Sequence, residues 1–153
     1  MRVQISRRAL SILTILVLLA AAVASHAAAT PAPGASFRIP FDFVIAGKTL
    51  PAGEYVVERS TNFSASGLSI RSVERNAGVY VLTAALESGE RASDSKLVFN
   101  RYQDRYFLSE FWTAGQTSGR KLIKSGEERA VEREAARGAA QPARVAVVAS
   151  QQK

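Results

Sequence analysis

From Phe37 the chain alternates apolar and polar side chains with a period of two: Phe37, Ile39, Phe41, Phe43 and Ile45 share one face. This is the pattern of a strand with one buried side. Pro40 has no amide hydrogen for a ladder, so the strand is expected to face solvent on one edge or to break there at a bulge. Gly47-Lys48 turns the chain, and Leu50-Pro51-Ala52-Gly53 fits a type I turn with proline second and glycine fourth. A strand from Glu54 to about Arg59 then puts Tyr55 and Val57 on one side and Glu54, Val56 and Glu58 on the other.

Asn62 to Gly67 reads as a loop, Leu68 to Val73 as a short strand and Asn76-Ala77-Gly78 as a turn. Val79 to Leu86 is apolar on both faces, which suits a central, doubly covered strand. Glu87 to Ser95 is charged and loop-like. Lys96–Tyr102 and Arg105–Thr113 form the clearest hairpin, joined at Gln103-Asp104. A two-residue loop sets Phe99 opposite Leu108, Asn100 opposite Phe107 and Tyr102 opposite Arg105. Gln103 suits a positive-φ position poorly, which leaves a longer loop with shifted register open. Arg120 to Lys124 offers a last short strand. The expectation is a mainly β fold over residues 36–125, a small antiparallel sandwich or barrel of roughly six to seven strands.

The period then changes. Ser125 and Glu128 form a capping-box pattern, and Gly138 stops a helix over residues 126–138. Glu127 and Glu128 suit the positive end of its dipole and Arg137 the negative end. Apart from alanines its one apolar residue is Val131, so it is expected to dock lightly and to present a solvated face. Residues 139–153 read as a disordered tail in which Val145–Val148 can pair opportunistically.

The amino terminus is of another kind. Arg2, Arg7 and Arg8 precede an apolar run from Ala9 to Val23, shorter than the roughly 20 residues of a spanning helix. Ser25 and Ala27 have signal-peptidase spacing, so residues 1–27 read as a cleavable signal peptide and 28–35 as an Ala/Pro linker. Ser6-Arg7-Arg8-Ala9-Leu10 matches part of a twin-arginine signal, but the strongly apolar run favours general secretion. The product is expected to be periplasmic or extracellular, touching membrane only through the transient signal.

Cleavage changes the chemistry. The chain has 20 basic and 13 acidic residues, one histidine and no cysteine. Three arginines and His26 leave with the signal, so 17 basic residues face 13 acidic ones, a net charge of +4. That modest excess gives no case for nucleic acid. Without His or Cys, Ser-His-Asp and Cys-His catalysis, His/Cys zinc sites and thiol redox work are excluded in the mature chain. No cofactor is implied, and neither catalytic nor metal residues are assigned. Asp42, Asp94 and Asp104 supply oxygen ligands but form no dense calcium loop. Two of Asp42, Glu54, Glu58 and Glu110 converging in a cleft would suit a small carboxylate-dependent hydrolase acting on an envelope or extracellular polymer; outward-facing solvated acids are the simpler expectation.

The aromatics of the hairpin, Tyr102, Tyr106, Phe107, Phe111 and Trp112, interleave with Arg101 and Arg105. A domain without disulfides must bury most of them, with Tyr102, Arg105 and Trp112 the expected exceptions and the candidate binding residues for an envelope protein or polymer. A non-catalytic binding or structural role follows as the first expectation.

Pro40-Phe41-Asp42-Phe43, Leu50-Pro51-Ala52-Gly53-Glu54-Tyr55, Leu97 to Tyr102 with Tyr106-Phe107-Leu108, and Gly119 to Leu122 with Ser125 and Glu128 resemble a group of small exported bacterial proteins without assigned function. The resemblance covers about residues 37 to 130. In that group glycine is common where this chain has Gln103. It implies a shared fold and export and assigns no catalytic or binding residue.

Overall fold

Pro40 divides the first apolar run between two ladders. In the computed structural model, which describes residues 34–60, 67–75, 77–138 and 141–150, the chain forms β1 (Ala35–Ile39), breaks at Pro40 to Asp42, and resumes as β2 (Phe43–Ile45). The signal peptide 1–27 and most of the linker lie outside the described residues. β1 pairs antiparallel with β4 (Gly53–Ser60), whereas β2 runs parallel to β8 (Arg105–Trp112) through Phe43–Tyr106 and Val44–Phe107. The expected alternation survives the break: Phe37, Ile39, Phe43 and Ile45 all enter one core. Phe41 bridges the gap, stacked on Tyr106 at 3.8 Å between ring centres and edge-on to Phe99 at 5.2 Å.

β3 (Lys48–Leu50) returns from β2 through Ala46 and Gly47, whose φ values of 50° and 77° give the left-handed pair of a type I′ turn. The Leu50–Gly53 turn is fastened from outside itself. The Ala52 amide donates to Asp42 Oδ1 at 2.8 Å, and the Tyr55 hydroxyl donates to the Pro51 carbonyl at 2.7 Å.

The remaining strands are β5 (Gly67–Ser72), β6 (Gly78–Glu87), β7 (Lys96–Tyr102), β9 (Ser118–Leu122) and β10 (Ala143–Val148); α1 (Gly126–Arg137) lies between β9 and β10. The hydrogen-bonded path runs β1-β4-β5-β6-β9-β8. β6 pairs with β5 through residues 78–82 and with β9 through residues 83–87, joining the two parts of the sheet. β7 pairs along the whole of β8, so β9 and β2 share the opposite edge of β8, and β10 covers the far side of β7. The sheet is open and of mixed topology. β1 and the end of β10 meet through one backbone bond, Ser150 N–H to the Ser36 carbonyl at 2.8 Å.

The fold is mainly β with one described helix, as expected, but the described residues hold ten strands rather than six or seven. Pro40 splits one expected strand, Lys48–Leu50 forms a hairpin arm, and Ala143–Val148 forms a six-pair ladder with β7 where a disordered tail was expected. β6 departs in another way. Val79, Val81 and Thr83 are buried, but Tyr80 and Leu82 are 65 % and 62 % exposed, so its outer face is uncovered.

One core joins the inner faces of both parts of the sheet. Phe37 meets Phe111 edge-on at 6.2 Å, and Phe43 meets Tyr55 and Phe99 at 5.2 and 5.6 Å. Each fully buried side chain of this kind stabilises by about 1.5–3 kcal/mol. The hairpin has the two-residue register, with Phe99 opposite Leu108, Asn100 opposite Phe107 and Tyr102 opposite Arg105. Gln103 accepts the left-handed conformation, φ 53°, that its side chain disfavours. Gln103→Gly is therefore expected to stabilise the protein by about 1 kcal/mol, read as a higher urea midpoint at unchanged slope; an unchanged midpoint would show that this turn carries no strain.

Candidate functional site

The site begins with one extra residue. Val98 pairs with Glu110 and Phe99 with Leu108, which leaves Ser109 as a bulge in β8. Side chains alternate along a strand, so without the bulge Leu108, Glu110 and Trp112 would share a face. With it, Leu108 and Phe111 enter the core while Glu110 and Trp112 turn outward. The registers then lay out two rows across the outer face: Val148, Lys96, Trp112, Gly119 and Leu86, and beside them Ala146, Val98, Glu110, Lys121 and Ala84.

Trp112 leans across its row. A methyl group at Gly119 would stand 2.8 Å from Cδ2 and Cε3 of the indole, so the ring rests on a backbone that only glycine leaves bare. Trp112 Nε1 donates to Glu110 Oε2 at 2.9 Å, and Arg144 of β10 pairs with Glu110 Oε1 at 2.6 Å. Glu110 is buried, and both its oxygens are occupied, one orienting the indole and the other anchoring β10. Such charge-assisted bonds offset the desolvation of a buried carboxylate. The half-buried indole forms one wall of a groove of about 490 Å³, bordered by Lys96, Glu87 and Ser88. A fixed aromatic face beside short-range donors and acceptors suits a ring with polarised C–H bonds and hydroxyls.

The three residues singled out from sequence do not come together. Trp112 lies in this groove. Arg105 and Trp112 are seven residues apart on β8, about 23 Å at strand rise. Tyr102 is not a surface residue: it is 3 % exposed beneath α1, edge-on to Phe107 at 5.7 Å and packed with Val44, Val131 and Ala135. The helix supplies the cover that the strand pattern could not foresee. Arg105 is exposed but engaged, paired with Glu127 in the first turn of α1 and 5.1 Å from the centre of the Phe107 ring. Both residues hold the helix. Gly119 and Arg144 belong to the site and escaped sequence reasoning, since neither carries a local signal and Arg144 lies in the segment read as tail.

The four carboxylates considered for hydrolysis are held by different partners. Asp42 takes the Ala52 amide, Glu54 the Ser36 hydroxyl at 2.8 Å, Glu58 the Arg71 guanidinium at 2.9 Å, and Glu110 the groove residues above. Among the described residues no three His, Cys, Asp or Glu side chains gather in a way that could hold a metal ion.

α1 is fastened more firmly than its composition suggests. Ser125 Oγ accepts the Glu128 amide at 3.0 Å, half of the expected capping box. The Glu128 carboxylate instead turns inward, 4 % exposed, and accepts a bond from Asn100 Nδ2 at 2.9 Å. Lys124, whose charge acts on Glu128, pairs with Glu132. Burial therefore pushes the Glu128 carboxyl above the usual range; the Asn100 bond and the Lys124 charge oppose this, and the neighbouring Glu132 adds to it. Tyr102 lies in the same cluster with its hydroxyl buried beside Glu132.

Two outcomes follow. A carboxyl raised above its unfolded value costs nothing while protonated in both states and destabilises increasingly as pH rises through the folded value. Glu128→Gln keeps the Asn100 bond, so its melting temperature should exceed the parent's at pH 7, with the gain fading toward about pH 4; a pH-independent difference would refute the titration. Gly119→Ala should displace the indole, cost about 1–3 kcal/mol and shift the emission of Trp112, the one tryptophan of the chain. No protein-family model, curated protein or solved structure matches this chain.

Proposed function

We propose that this chain is an exported, non-catalytic envelope module that binds a glycan polymer across the Trp112 groove. The observation that carries the reading is the indole laid flat on Gly119 and held by Glu110, a rigid aromatic shelf on an otherwise open sheet face. An orientation fixed before binding lowers the entropy cost of stacking a ring on it. Lys96, Glu87 and Ser88 at the rim supply donors and acceptors for hydroxyls. Export is supported by Arg2, Arg7 and Arg8 ahead of the apolar run. The scaffold is read as a small β-sandwich, supported by the single core shared by β1 and β8 through Phe37 and Phe111. A non-catalytic role is favoured by the separate engagement of Asp42, Glu54, Glu58 and Glu110.

The test uses an array of bacterial envelope saccharides, followed by titration of the retained oligosaccharides against Trp112 emission. Saturable binding is expected, weakened at least about tenfold, or about 1.4 kcal/mol, by Trp112→Ala and unchanged by Tyr80→Ala on the opposite part of the sheet. Absence of any retained saccharide, or binding indifferent to Trp112→Ala, overturns the site; release of new reducing ends overturns the non-catalytic assignment.

A further inference from the structure

The strand that completes this groove lies at an edge of the sheet, with backbone bonds from Ala149 to the Ser95 carbonyl and from Ser150 to the Ser36 carbonyl, each 2.8 Å, just beyond it. β10 pairs with a single strand, β7, from Ala143–Arg101 to Val148–Lys96. None of its residues is buried; Val145 and Val147 are half-buried against the core. The edge it covers is different in kind, for Leu97 and Phe99 on β7 are fully inaccessible. Left bare, such an edge would be a template for another strand. What the edge requires is a strand with valines inward at alternate positions and a cation that reaches the buried Glu110. Residues 143–148 meet both requirements, whichever copy supplies them.

The connection to β10 permits that exchange. α1 is held on the sheet by its own contacts, Glu128 to Asn100, Glu127 to Arg105, and Val131 and Ala135 on Tyr102 and Phe107, so β10 can leave without releasing the helix. The stop at Gly138 is shallow. Its φ and ψ of −85° and 10° lie outside the left-handed region of a firm terminator, and its amide still reaches the Glu134 and Ala135 carbonyls at 3.3 and 3.1 Å. Ala139, Ala140 and Gln141 are helix formers, followed by Pro142, which is not. Continuing α1 past Gly138 would carry the following residues along the helix axis by about 1.5 Å per residue.

We propose that β10 is an exchangeable strand, that the β7 edge accepts residues 143–148 of a second copy of this chain, and that the groove of each copy then takes Arg144 from the other. Exchange of an identical element is a low-cost route to a closed two-fold dimer, and a short hinge favours it. The inference stands apart from the glycan reading, because it concerns which chain fills the edge and not what the groove binds.

The chain has no cysteine, so introduced thiols report without background. Lys96 and Val148 are register partners at the exposed end of the ladder. A double variant, Lys96→Cys with Val148→Cys, can close within one chain. A Lys96→Cys chain refolded together with a Val148→Cys chain closes only if strands exchange, with Ser93→Cys in an exposed loop as the collision control. Disulfide-linked heterodimer at least tenfold above that control is expected, rising several-fold when the Val148→Cys chain also carries Gly138→Ala. An added methyl at Gly138 meets the Ala135 carbonyl at an ordinary 3.5 Å, so this variant is compatible with the fold. Heterodimer at control level, with the double variant closing internally, overturns the proposal. So does sedimentation of the parent and Gly138→Ala chains as monomers at every concentration, whether or not the double variant closes.

Discussion

The extra residue in β8 governs both sides of the sheet. Ser109 shifts the alternation by one position, and every side chain beyond it changes face. Leu108 and Phe111 thereby both reach the core, on either side of the shift, and Glu110 and Trp112 are delivered to the opposite surface. Glu110 is then a carboxylate lifted largely out of water, a position that costs several kcal/mol when unpaired. The indole N–H and the Arg144 guanidinium offset that cost, and in doing so they tie β8 to β10 and hold the aromatic ring to one orientation.

The same outer face is divided by α1. At the hairpin end, Asn100, Tyr102, Arg105 and Phe107 receive the helix; at the other end, Lys96, Val98, Glu110 and Trp112 border the groove. A helix with one large apolar residue can cover this ground because its attachment is mostly polar at the rim and apolar only beneath Val131 and Ala135. The arrangement leaves Glu128, a carboxyl that burial holds above its usual range, inside this contact.

Much of this could be read along the chain. The inward alternation of Phe37 to Ile45, the break at Pro40, the hairpin register around Gln103 and the Ser125 cap all follow from local rules, because each depends on residues within a few positions of one another. The groove could not be read so. Trp112, Gly119, Arg144 and Glu87 come from four different strands, and their meeting depends on registers set over long separations.

By itself the sequence determined a β-rich chain with an apolar core, a capped charged helix and no histidine or cysteine beyond His26. The tertiary structure alone decided that Tyr102 lies under the helix, that residues 143–148 are a strand, and that Gly119 and Arg144 meet at Trp112 and Glu110. The reason is physical: period and turn chemistry are properties of neighbours in the chain, whereas burial of Tyr102, pairing of β10 and the meeting of Gly119 with Trp112 depend on which distant surface arrives beside them.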